Sequence, residues 1–120
     1  MAKNLEISYL LDFYGEMLTE KQREVVELYY NEDLSLGEIA QLANITRQGV
    51  RDCIKRSEGI LLHLEQQLGL ARRFQELQEG LEQIILDAKE IAFQAEDNPN
   101  LHSIETRARQ IVTIADRLCE

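Results

Sequence analysis

Tryptophan is absent from this chain, proline occurs once, and only six glycines punctuate its 120 residues. So little punctuation leaves little room for long loops. Alternating runs of β-branched residues are missing as well, which makes an all-α fold the expectation. Cysteine is scarce: Cys53 and Cys119 lie far apart and carry no metal-ligand spacing. No stretch reaches the ~18 apolar residues that a bilayer span needs. The start, Met1 to Glu6, lacks the apolar segment of a secretory signal. These absences lead to the expectation of a reduced, cytoplasmic protein without membrane insertion.

What is present is a sizeable core and an excess of acid. Hydrophobic residues make up 44% of the chain, and the net charge is -9. Residues 1–34 sum to -5, residues 35–58 to +1, and residues 59–120 to -5. Phosphate attracts cations, so a dedicated nucleic-acid binder usually has a broad basic face. Here one segment alone escapes the acidity. Acidity elsewhere serves solubility or a basic protein partner.

That segment, residues 35–56, reads as helix, tight turn and helix. Ser35 and Glu38 form a capping box, as Thr19 and Gln22 do one helix earlier. Ala40 is small enough for two helices to approach closely. Asn44 suits a left-handed turn, Ile45 plugs the gap, and Thr46 caps the next helix. Val50, Ile54 and Leu61 then recur at helical spacing and point inward, while Arg47, Gln48, Arg51 and Lys55 share the outer face. Arg and Gln at the start of such a helix can make bidentate contacts with guanine and adenine edges. Arg47, Gln48, Arg51, Lys55 and Arg56 are therefore the expected nucleic-acid-binding residues. A solvated polar face is the plainer reading of the same pattern. Upstream, a first helix is expected from about Leu5 to Glu16, with Leu10, Phe13, Tyr14 and Met17 facing a core. Val25, Val26, Leu28 and Tyr29 mark a second.

The C-terminal half carries a heptad seam. Leu70, Phe74, Leu77, Leu81, Ile84, Ala88, Ile91 and Ala95 alternate spacings of four and three. Asp97 to Asn100 makes a turn, after which Ile104, Ala108, Ile111, Ala115 and Leu118 repeat the spacing. Two domains follow: residues 1–68, containing the helix-turn-helix unit, and residues 69–120, an antiparallel helical hairpin. The hairpin either folds back on the N-terminal helices or pairs with a second copy. The length of the seam favours a homodimer through Leu77, Leu81, Ile84, Ala88, Ile91, Ile104, Ile111 and Leu118. Alanines 88, 95, 108 and 115 predict close helix packing near the far end of the hairpin.

Across residues 9–62 the motifs Tyr9-Leu-Leu-Asp-Phe-Tyr14, Leu18-Thr-Glu-Lys-Gln22, Leu28-Tyr-Tyr30, Leu36-Gly-Glu-Ile-Ala40 and Thr46-Arg-Gln-Gly-Val-Arg-Asp-Cys-Ile-Lys-Arg56 stand in order. This pattern resembles region 4 of bacterial sigma factors and, more closely, the YlxM family of small bacterial helix-turn-helix proteins. The resemblance implies an all-helical, often dimeric protein. It also implies an accessory or regulatory role in co-translational targeting, because genes of that family lie beside the gene for the signal recognition particle's GTPase. Two departures stand out. Gly49 replaces a common alanine, loosening the helix by up to ~1 kcal/mol. Arg51 replaces a common aromatic and makes the helix more cationic.

No catalytic residue, metal site or cofactor is expected. His63 and His102 stand alone in amphipathic helices, the carboxylates are scattered, and no glycine-rich phosphate loop appears. Three readings remain: an adaptor that contacts the targeting particle's RNA or GTPase, a DNA-binding regulator, and an interaction module that no longer touches nucleic acid.

Overall fold

The computed structural model describes residues 3–119, and among them every regular element is helical. The chain divides into two compact units between Arg72 and Arg73.

In the first unit, α1 (Leu5–Tyr14), α2 (Glu20–Tyr30), α3 (Leu36–Ala43) and α4 (Arg47–Leu68) pack around two clusters. Ile7, Leu10, Leu11, Tyr14, Leu18, Val26, Leu61 and Ala71 form one of them. Val25, Tyr29, Ile39, Ala40, Ala43, Val50 and Ile54 form the other, which holds α3 against α2 and α4. Each fully buried aliphatic side chain contributes about 1.5–3 kcal/mol. α1 stops at Tyr14, two residues before the expected end, because a tighter 3₁₀ turn covers Gly15–Met17. The altered turn rotates Met17 out to 67% exposure and puts Leu18 in the core instead, at 7%. Phe13 and Leu28 are half-buried partners of the two clusters.

The corner between α4 and α5 (Leu70–Ala95) turns on Gly69, whose φ of 63° lies in the left-handed region. Glu65 folds across this corner. Its carboxylate accepts from the N–H of Ala71 at 3.1 Å and of Arg72 at 3.0 Å, supplying the cap that α5 otherwise lacks. Tyr14 donates its hydroxyl to the same carboxylate at 2.7 Å and accepts from the N–H of Leu70 at 3.1 Å.

The second unit is an antiparallel pair, the rest of α5 and α6 (His102–Cys119), joined through a 3₁₀ turn at Pro99–Leu101. Alanine lines the contact: Ala88, Ala92, Ala95, Ala108 and Ala115 are each 3% exposed. Ala92 was outside the expected seam. The small side chains are covered and most of the larger ones are not, so the seam splits by size. Leu81 is half-buried, whereas Leu77, Ile84 and Ile91 on α5 and Ile104, Ile111 and Leu118 on α6 stay 45–62% exposed.

Candidate nucleic-acid interface

The α3–α4 pair is built by its caps. Ser35 and Glu38 exchange hydrogen bonds in a complete capping box at the start of α3. α3 ends at Asn44, with φ 58° and ψ 45°, a conformation asparagine tolerates better than most residues. The N–H groups of Asn44 and Ile45 both turn back to the carbonyl of Ala40. Ile45 packs half-buried beside the α3–α4 cluster. Thr46 accepts from the N–H of Gly49 at 2.9 Å and opens α4. A β-carbon added at Gly49 would stand 3.1 Å from the Thr46 hydroxyl, so glycine here spares the cap from crowding.

Val50, Ile54, Ser57 and Leu61 are buried along the inner side of α4. Arg47, Gln48, Arg51, Lys55 and Arg56 are all exposed. The clefts beside them differ. Arg47, Gln48 and Arg51 line a cleft of about 330 Å³ with Leu36 of α3. Arg56 lines a different cleft, of about 250 Å³, toward the start of α2 with Thr19, Lys21 and Gln22. Lys55 lines neither cleft. Among the described residues none of the four α4 cations is in an ion pair. Gln48, by contrast, gives its amide to Asp52 at 3.0 Å. That bond must open before Gln48 can read a base edge.

Lys21 is the cation that local spacing did not single out. Its ammonium donates to the carbonyl of Ala43 at 2.8 Å, at the C-terminal end of α3, and lies 3.8 Å from Glu24. A signal existed: a cation in the first turn of α2 opposes that helix's dipole, which marks it for a partner elsewhere. Here the partner is the negative end of α3.

Burial pushes the Cys53 thiol up, away from the thiolate form. His63 and His102 are exposed on their helices. Among the described residues no group of three His, Cys, Asp or Glu side chains is placed to hold a metal ion. No helix there is long and apolar enough to cross a membrane.

Capped helix, left-handed turn and second helix with an outward cationic side define a helix-turn-helix protein. Residues 1–100 match the model of the UPF0122 family, described as helix-turn-helix, YlxM / p13 like, and the chain belongs to that family. Three relatives agree along nearly their whole length. A UPF0122 protein of Acetivibrio thermocellus is 44% identical over 93% of this chain and 98% of its own. One from a Thermoanaerobacter species is 46% identical over 89% and 92%. One from Clostridium novyi is 41% identical over 93% and 97%.

Proposed function

We propose that this protein is an accessory or regulatory component of the bacterial signal recognition particle pathway, a binding protein rather than an enzyme. In this reading its helix-turn-helix contacts the particle's RNA, its GTPase, or both. The observation that carries the binding part is the set of four exposed cations on α4, which form no ion pair among the described residues, in a chain of net charge -9. Cations not neutralised within the protein are available to phosphate. The pathway rests on the YlxM resemblance. The acidic remainder of the surface suits a basic protein component beside the RNA.

The test is binding of the particle's RNA and of its GTPase, each alone and together. Changing Arg47, Arg51 and Lys55 together to alanine should weaken the RNA-containing assembly and flatten its salt dependence. Four phosphate contacts set an upper slope of roughly -3.6 per subunit on a duplex. Unchanged binding by the triple variant would remove α4 from the contact.

A second reading, a DNA-binding transcriptional regulator, is favoured by Arg47 and Gln48 in the first turn of α4 after the Thr46 cap. Those side chains fit guanine and adenine edges in a major groove. Purifying the tagged protein from its host with and without ribonuclease separates the two. Ribonuclease-sensitive recovery of the particle supports the first, and discrete promoter DNA supports the second. In both readings the hairpin joins two copies through Leu77, Leu81, Ile84, Ala88, Ile91, Ile104, Ile111 and Leu118. Leu81 and Ala88 act from within the seam, and the other six make the open face.

A further inference from the structure

The open apolar face of the hairpin has two edges of opposite charge. On α5 it consists of Leu77, Ile84 and Ile91, and on α6 of Ile104, Ile111 and Leu118. In a helix, positions one before and three after a given residue lie on the same flank, and positions one and four after it lie on the other. The inner flank is settled by burial: Gln78, Ile85 and Ala92, with Leu81, Ala88 and Ala95, are buried or half-buried against α6. From Glu76 to Gln94 the outer flank of α5 is therefore Glu76, Gly80, Gln83, Asp87, Glu90 and Gln94, three acids and no base, with Arg73 on the same flank one turn earlier. The outer flank of α6 is Ser103, Arg107, Gln110, Ile114 and Arg117, two bases and no acid.

Among the described residues these charges meet no opposite charge. Asp87 and Glu90 receive only neutral amides, from Gln83 and Gln94. Among the described residues Glu76, Asp87, Glu90, Arg107 and Arg117 form no ion pair. The hairpin's own ion pairs lie on its opposite face. There Arg109 meets Glu105 at 3.0 Å and Glu96 at 3.6 Å, and it lines a groove with Lys89, Phe93 and Thr113. That face also exposes Phe93 and Leu86 and carries charges of both signs on α5, Lys89 with Glu79 and Glu82, whereas the face of Leu77, Ile84 and Ile91 is bordered by charge of one sign on each helix.

Two hairpins can stack face to face about a two-fold axis in two ways. An axis along the helices puts α5 over the partner's α6 with both turns at one end. An axis across the helices puts α5 over the partner's α5 with the turns at opposite ends. The first brings acid to base along both edges, and the second brings acid to acid and base to base. Resting on the dimer proposed above, we propose that the occupant of this face is a second copy of the chain, held with α5 against the partner's α6 and both turns at the same end.

The test is the dimer dissociation constant by sedimentation, at low salt, for the full chain. Reversing the acidic edge with Glu76→Lys and Asp87→Lys should weaken the dimer roughly threefold or more, and so should Arg107→Glu with Arg117→Glu on the other edge. Combining all four should restore the wild-type value. A wild-type chain that stays monomeric overturns the dimer reading itself. A wild-type dimer that tightens or does not respond when one edge is reversed overturns only this pairing. A second measurement is independent of affinity. Asp97→Cys, with Cys53→Ala and Cys119→Ser, should cross-link through a short bis-maleimide because the turns share an end. A dimer that fails to cross-link overturns the pairing.

Discussion

Tyr14 shows how much one hydroxyl can organise. It is 1% exposed, yet its oxygen both donates to Glu65 and accepts from the N–H of Leu70. Tyr14→Phe keeps the ring's packing, takes one donor from Glu65 and orphans the Leu70 N–H. A loss of about 1–3 kcal/mol in urea unfolding is expected. The Tyr14 hydroxyl, with the N–H groups of Ala71 and Arg72, holds the Glu65 carboxyl below the usual carboxylate range against the opposing pull of burial. A depressed folded pKa stabilises above the unfolded value and is lost as pH falls through the folded one. Stability should therefore decline on acidification from the ordinary carboxylate range downward, and Glu65→Gln should flatten that decline in pH-dependent melting curves. Tyr30 works at the other end of the scale. Burial first, and its hydrogen bond to Glu58 second, raise its pKa to about 12. The stabilisation is complete below the unfolded value of ~10 and vanishes as pH climbs through 12. Absorbance titration of wild type against Tyr30→Phe should reveal one late-ionising tyrosine. None of these roles is legible in the sequence, since residues 14 and 65 meet only through the packing of α1 on α4.

At the scale of elements the sequence is far more transparent. Caps, turn and inward stripe of the helix-turn-helix follow from spacing alone: Ser35 with Glu38, Asn44, Thr46, and Val50 with Ile54 all take the expected places. Local hydrogen bonds between residues three apart need no tertiary information. Thr46→Ala should cost about 1 kcal/mol of stability. Gly59 sits exposed within α4 with nothing within 4 Å of where a β-carbon would be. Gly59→Ala should therefore raise stability by about 0.5–1 kcal/mol in thermal unfolding. Gly49 is the contrast, because its added β-carbon would crowd the Thr46 cap at 3.1 Å and offset the gain in propensity. That Arg47 and Arg51 line one cleft and Arg56 another was not legible. It depends on which neighbour, α3 or the start of α2, lies on each side of the helix.

For the whole molecule, charge and exposed apolar surface set expectations that neither residues nor elements supply alone. The dimer proposed here predicts that Ile84→Asp with Ile111→Asp yields a monomer with an unchanged helical circular dichroism spectrum, since both side chains are already about half exposed within one chain. Composition and periodicity by themselves determined the all-helical class, the helix-turn-helix with its caps, and the turn that makes a hairpin of the C-terminal half, because each depends on residues close in sequence. Tertiary structure alone decided three things. It placed Met17 outside and Leu18 inside at the 3₁₀ turn. It joined Lys21 to the end of α3. It divided one heptad seam into an alanine-lined contact and an uncovered isoleucine and leucine face. The physical reason is common to all three. A periodic pattern names the apolar side of a helix, but which part of that side is covered depends on the size and direction of what packs against it, and that is a property of the assembled chain.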